Sequence, residues 1–247
     1  MINYKLLIYT LIIFSSNCFS QKNKTNGEVT YQVCLDLINN KDFINKSSSS
    51  KEVKDLVKKT IKSQDTINYK LSFKGFESLF EKEKRMKVEE GKFDLISILV
   101  GKGVFYTNRV TKKRLNQKES FGEVFLIDIP PIKWVLTQET KKIGRYICYK
   151  ATTIKVVENR RGKKNINITA WYTPDIVANF GPKEYGELPG LILELREGDL
   201  LFRAKDIKLN SKEKVEFKKP LKGKKITLEE HSKIIKDIVS KHRRNKF

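Results

Sequence analysis

Three glutamates lie close together in one stretch of the chain, where paired carboxylates could support acid–base chemistry. They are Glu184, Glu187 and Glu194. Two carboxylates are sufficient to hydrolyse a glycosidic bond when they face one another across a cleft. The same glutamates also fit a solvated, ion-paired surface in a lysine-rich protein. A carboxylate-based hydrolase acting on envelope glycans is therefore kept as an alternative function, and no catalytic residue is assigned.

Other residues that commonly carry catalysis or bind metals are scarce. The only two histidines are His231 and His242, both near the C-terminus, and the chain has no Cys-x-x-Cys pair. A histidine-based zinc site or a Ser-His-Asp triad would need partners that the predicted sheet lacks. The sequence has no P-loop, and Gly101-Lys102-Gly103 is too short for a dinucleotide fingerprint. We therefore predict no metal site and no cofactor.

The stretch from Ala170 to Leu195 is rich in proline, glycine and aromatic residues and is a second candidate for function. Pro189-Gly190 predicts a type II turn, so two turns between three strands would explain much of it. Loops on a rigid sheet also often carry binding residues. The alternative interpretation is a surface that binds an apolar or amphiphilic ligand or an envelope protein. Its residues would be Trp171, Tyr172, Pro174, Phe180, Gly181, Pro182, Tyr185, Leu188, Pro189 and Gly190.

Several motifs in this half of the chain together resemble the GLPGLI family, which are secreted proteins of Bacteroidota. The matching stretches are TKKIGRYICYKA (140–151), AWYTPDI (170–176), Gly181-Pro182 and LPGLILE (188–194). Glu187 stands where the family motif has its first glycine. If that glycine supplies a positive φ, the loop must shift here or Glu187 must carry strain. The resemblance implies an exported β protein and no particular activity.

The N-terminal residues 1–20 have the pattern of a secretory signal peptide. Lys5 precedes the apolar run Leu6–Phe14, and small residues precede a cleavage point before Gln21. The apolar run is too short to span a bilayer comfortably. Cys18 could be acylated in a lipoprotein, but the residues before it form a poor lipobox. We therefore predict an exported protein, periplasmic or secreted, with lipidation disfavoured.

Two cysteines remain after removal of the predicted signal peptide. Cys34 and Cys148 both lie in predicted strands. An exported compartment permits a disulfide, although pairing depends on a Cα separation that the sequence does not reveal. Two buried free thiols are the alternative.

Alternating apolar and polar residues predict an antiparallel β domain over residues 21–209. A short amphipathic helix is predicted at 51–63, and Leu95–Val100 is ambiguous between strand and helix. Many strands with short turns predict a mainly β (α+β) fold, a curved sheet or half-barrel similar to periplasmic lipoprotein-carrier folds. A two-sheet sandwich is the second choice. The predicted strands are 27–38, 66–74, 104–110, 112–121, 124–129, 134–139, 146–157, 166–173, 191–195 and 200–207.

Residues 210–247 are predicted to form a basic linker followed by an amphipathic C-terminal helix. Thr227 fits the N-cap and Glu230 the capping-box position. The apolar stripe of the helix is Leu228, Ile234, Ile235 and Ile238. Such a helix is either peripheral or a means of docking to an anionic membrane surface.

The net charge of +22 favours anionic partners, although dispersed solvated lysines would give the same total. The sequence contains 41 lysines and 10 arginines, whereas specific phosphate recognition favours the bidentate arginine fork. Nucleic acid is therefore disfavoured as a partner. The leading hypothesis is an exported, non-enzymatic binding protein. The rivals are the hydrolase and a structural component of surface assembly that docks by its C-terminal helix.

Overall fold

The protein is described from a computed structural model, which covers residues 25–36, 51, 55, 66–83, 95–159, 162–210 and 215–244. The predicted signal peptide and most of the predicted helix at 51–63 lie outside the described residues. Two helices are described in full, α1 (Leu95–Val100) and α2 (Leu228–Arg244). The strands are β1 (Asn26–Leu35), β2 (Ile67–Lys74), β3 (Glu77–Lys82), β4 (Val104–Asn108), β5 (Lys113–Ser120), β6 (Glu123–Asp128), β7 (Val135–Ile143), β8 (Tyr146–Asn159), β9 (Gly162–Thr173), β10 (Leu191–Glu197), β11 (Leu200–Leu209) and β12 (Lys224–Thr227).

All twelve strands belong to one open, curved sheet in the order β12-β6-β5-β4-β3-β2-β1-β11-β10-β9-β8-β7. Each neighbouring pair is antiparallel except β12 and β6, which are parallel. The first strand lies in the middle, between β2 and β11. The predicted curved antiparallel sheet is confirmed. The sandwich that was the second choice is wrong, because the described strands form a single hydrogen-bonded sheet.

The period-2 pattern of β1 explains how the sheet acquires its core. Val29, Tyr31 and Val33 are fully buried, while the residues between them are half-buried. The Tyr31 hydroxyl donates a hydrogen bond to the carbonyl of Ile192, which lies on β10 beyond β11. The register of β10 against β9 shifts just after Ile192. Tyr31 therefore satisfies a backbone carbonyl beside an irregularity in the sheet.

Helix α1 settles the ambiguity at Leu95–Val100. Ile96 and Val100 are four residues apart, both 2% exposed, and both belong to the main core cluster. This spacing places them on one face of a helix, whereas a strand would also need Ile98 on that face. Ile98 and Leu99 are instead exposed.

The segment 174–190, here called the plug segment, packs against the core of the sheet. Ile176, Ala178, Phe180 and Leu188 are each at most 2% exposed. Three tight turns fold it, because the amides of residues 178, 180 and 190 each donate to the carbonyl two residues earlier. The type II turn predicted at Pro189-Gly190 is therefore wrong in type. Gly190 has φ of 151°, far from the roughly 80° that such a turn requires.

The region predicted as a basic linker contributes to the sheet. Lys224–Thr227 forms β12 and pairs with β6, so the sheet extends beyond the predicted boundary at residue 209. The predicted cap of α2 is confirmed. The Glu230 amide donates to Thr227 Oγ1 at 3.1 Å, and the Thr227 amide donates to Glu230 Oε2 at 2.7 Å. Among the described residues, no helix is both long and apolar enough to cross a membrane.

We predict that Gly190→Ala destabilises the fold by about 3 kcal/mol, because its Cβ would meet backbone at an unfavourable φ. That Cβ would lie 2.0 Å from the Thr173 carbonyl oxygen. Gly144→Ala is the matched control, since a Cβ there has nothing within 4 Å and should cost about 1 kcal/mol for its positive φ alone. Urea unfolding measures both, and equal losses would contradict the close packing of the plug segment.

Candidate functional site

The structure places most of the predicted binding-loop residues in the interior. Phe180, Tyr185 and Leu188 are 2%, 3% and 1% exposed. The Phe180 ring packs against Phe73 at 5.8 Å between centroids. Also buried are Gly181, Pro182 and Gly190. These residues contact the chain's own sheet, so they reach a ligand only if the plug segment moves. Their binding role stays a prediction.

The remaining predicted loop residues differ in how far they are exposed to solvent. Tyr172 is buried, whereas Pro174 and Pro189 are exposed and Trp171 is half-buried. The Lys141 ammonium lies 4.4 Å from the centroid of the Trp171 ring. This cation–π contact stabilises both groups. The ten predicted residues thus do not form one continuous surface.

Each of the three glutamates that suggested hydrolysis is paired with a basic side chain. Glu184 Oε1 lies 2.9 Å from Lys155 Nζ. Glu194 contacts Lys141 at 2.7 Å and Arg203 at 3.5 Å. These pairs fit the structural interpretation of the carboxylates better than a reactive one.

Glu187 occupies the position where the resembled family has glycine, and its φ is 64°. This value lies in the left-handed region, so the backbone here keeps the conformation that favours glycine. The Glu187 carboxylate lies 2.5 Å from the guanidinium of Arg114, a side chain only 4% exposed. The ion pair offsets part of the backbone strain by neutralising a buried cation.

A buried ionic cluster lies where the plug segment meets β8 and β10. Lys155 of β8 contacts Glu184 at 2.9 Å and Glu197 at 2.7 Å. Lys183 of the plug segment contacts Glu197 at 2.5 Å, and both of these side chains are less than 10% exposed. Two ammonium groups thus hold two carboxylates inside the protein. Sequence reasoning missed Lys155, Lys183 and Glu197 because they come from three separate elements.

Burial and the charges of the cluster shift the pKa values of Glu197, Lys155 and Tyr185. Burial alone would raise the pKa of Glu197, but Lys183 and Lys155 outweigh it and lower that pKa below its ordinary 4.5. Burial would lower the pKa of Lys155, yet Glu184 and Glu197 raise it. Burial, reinforced by the two glutamates, raises the pKa of Tyr185. At neutral pH Glu197 is therefore ionised and poorly suited to act as a general acid.

Cys34 and Cys148 are both free thiols. They lie on β1 and β8, with β11, β10 and β9 between them. Four strand spacings amount to roughly 19 Å, whereas a disulfide needs Cα atoms within about 7 Å. The possible disulfide is therefore not formed. Burial raises the pKa of the Cys148 thiol to about 11, so this thiol is protonated and unreactive at neutral pH.

A groove of about 400 Å³, here called the outer groove, lies between the sheet and the segment before β12. Its lining residues are Lys113, Leu115, Leu126, Asp128, Lys219, Pro220, Leu221, Lys225, Ile226, Thr227 and Glu230. The floor is mainly apolar and three lysines surround it. This groove could not be predicted from the sequence, because its residues come from β5, β6, β12, α2 and the predicted linker. In the part of the chain that the structure describes, no cluster of three or more His, Cys, Asp or Glu could hold a metal ion.

A family described as protein of unknown function (Porph_ging) matches residues 134–164 and 158–194, which comprise β7, β8, β9, the plug segment and part of β10. Two solved structures of PNGF-II, in space groups C2 and P21, are similar at 19% identity with TM-scores of 0.46 and 0.47. They match 85% and 86% of this chain, which spans about a third of theirs, 32% and 33%. Comparison with the curated proteins found no match.

We predict that Glu197→Gln destabilises the protein by about 3–5 kcal/mol at pH 7, because it leaves Lys183 buried without its counter-charge. Glu139→Gln is the control, since the Glu139 side chain is 59% exposed and its pair with Lys150 should contribute less than about 1 kcal/mol.

The same variant should change the acid sensitivity of the fold. The folded-state pKa of Glu197 lies below 4.5, so its charge stabilises the fold above that pH, and the contribution is lost as pH falls through the folded-state value. Denaturant titrations between pH 7 and pH 2 should show a shallower acid decline for Glu197→Gln than for the native chain. Parallel declines would contradict the assignment.

We predict that Glu187→Gly is about 1 kcal/mol more stable than Glu187→Ala, because glycine alone adopts this φ without strain. Both variants lose the ion pair with Arg114, so the comparison isolates the backbone contribution. Thermal unfolding measures the difference. Equal stabilities would show that residue 187 is unstrained.

Proposed function

We propose that this chain is an exported, non-enzymatic binding protein that resembles the GLPGLI family, and that the outer groove holds an amphiphile with an anionic head group. The observation that supports the proposal is an apolar groove bordered by lysines on the outside of a well-packed sheet. The match of residues 134–194 to a family of unknown function is consistent with it and adds no activity.

The apolar part of the ligand would lie on the groove floor. Leu115 and Leu126 come from two neighbouring strands, and Pro220 and Leu221 close one side. Leu221 is 73% exposed, so an alkyl chain could cover it without any rearrangement of the core. A volume of about 400 Å³ falls in the usual range of small-molecule sites, roughly 300–1,000 Å³.

The charged part of the ligand would lie among the lysines. Lys113, Lys219 and Lys225 outnumber the two carboxylates that line the groove. One of these, Glu230, already accepts a hydrogen bond from the Thr227 amide, and this bond lowers its pKa. An anionic head group is therefore electrostatically favoured over a neutral or cationic one.

The rival hydrolase function has one observation in its favour, since Glu184 and Glu197 approach the same ammonium group of Lys155. Their burial and their ion pairs oppose it, because a catalytic acid needs a raised pKa and access to substrate. The third hypothesis, a component of surface assembly, rests on α2 alone. Binding at the outer groove is therefore the better supported function.

The test is titration calorimetry with dodecyl phosphate below its micelle concentration. Leu221→Asp should weaken binding about tenfold, because it removes one apolar contact and adds a repelling charge. Val177→Asp is the matched control, since Val177 is 71% exposed, similar to Leu221, and lies on the plug segment away from the groove. Dodecyl maltoside, with the same alkyl chain and an uncharged head, should bind more weakly.

Three results would contradict the proposal. They are no binding of dodecyl phosphate to the native chain, an equal loss in both variants, and equal affinity for the two detergents. The first would remove the groove as an amphiphile site. The second would show that general surface charge is responsible, and the third that the lysines are not used.

A further inference from the structure

The turn between β5 and β6 exposes an aromatic side chain in an unfavourable backbone conformation. Phe121 has φ of 53° and is followed by Gly122 with φ of 79°. Two consecutive positive values define a tight hairpin turn in which the first position strongly prefers Asn, Asp or Gly. Phe121 is 59% exposed, so burial does not compensate for the strain. A bulky residue held in this way suggests a use outside the fold.

A second exposed apolar side chain lies at the same end of the molecule. Val124, at the start of β6, is 41% exposed. Lys102, just after α1, lines a second groove together with Phe121 and with Ile235 of α2. Helix α1 ends at Val100, two residues before Lys102. We call the exposed Phe121 and Val124 the apolar tip.

Lysines surround the apolar tip. The carbonyl of Lys222 accepts a hydrogen bond from Gln117, and Lys224 pairs with Phe125, so both flank the start of β6. Both lysines are exposed, as is Lys102. Helix α2 begins beside the far end of β6 and runs back toward the tip, because Ile235 reaches the groove beside Phe121. Its backbone continues to Arg244.

We propose that the apolar tip docks this protein onto the surface of an anionic phospholipid bilayer. Phe121 and Val124 would enter the head-group region, while the surrounding lysines face the negative lipids. Apolar insertion combined with basic charge is the combination that gives reversible attachment to anionic membranes. The tip and the outer groove share no lining residue, so the proposal does not depend on the ligand proposed above.

The test is co-sedimentation of the full chain with vesicles of phosphatidylcholine alone or with 30% phosphatidylglycerol. Phe121→Asn is the informative variant, because asparagine suits the left-handed conformation and the variant should be at least as stable as the native chain. Its partitioning onto the anionic vesicles should nevertheless fall about tenfold, the effect of losing one large apolar contact. Val177→Asn, at an apolar position elsewhere that is 71% exposed, should bind as the native chain does.

Binding of the native chain should be weak on pure phosphatidylcholine and should fall as salt is raised, because the electrostatic attraction is screened. Equal binding to both vesicle types would overturn the proposal, as would unchanged binding of Phe121→Asn. A loss in Val177→Asn as large as that in Phe121→Asn would also overturn it. Thermal unfolding of both variants confirms that any loss of binding is not a loss of fold.

Discussion

An open, curved sheet must have its core-facing side covered, and this requirement governs much of the structure. The plug segment meets it with Phe180 and Leu188, which pack against the sheet. Lys183 and Glu184 of the same segment bind oppositely charged side chains on β10 and β8. Apolar burial supplies the main stabilisation, and the ion pairs fix where the segment lies. A register error here would leave charges buried without partners.

The sequence predicted the strands well, because alternating residues such as Val29, Tyr31 and Val33 mark the buried face directly. It predicted neither β3 nor β12, and Lys224–Thr227 has one inward apolar residue and is short and basic. The plug segment was equally hard to interpret. Proline and glycine indicate a turn, but whether Phe180 and Tyr185 face solvent or core depends on a sheet assembled from distant strands. The lining residues of the outer groove are separated along the chain for the same reason.

Because the interior is filled by the protein's own side chains, we expect a binding site on the outside of the molecule. A half-barrel with a hollow interior would hold a ligand within it, but here the plug segment and α1 pack against the sheet. What remains are two external features, a lysine-bordered apolar groove and an aromatic hairpin tip. Both combine apolar area with positive charge, in keeping with the net charge of +22. The two proposals, an anionic amphiphile in the groove and an anionic membrane at the tip, both rest on this combination.

The pairing of β1 with β11 has a consequence for the order in which the protein can fold. One of the two strands that pair with residues 26–35 is formed by residues 200–209. The centre of the sheet therefore cannot form until this late part of the chain is present. Contacts so distant in sequence are slow to form. During synthesis, the emerging polypeptide therefore remains without its central strand pair for most of its length. A late-closing topology of this kind would suit the proposed export of the chain in an unfolded form.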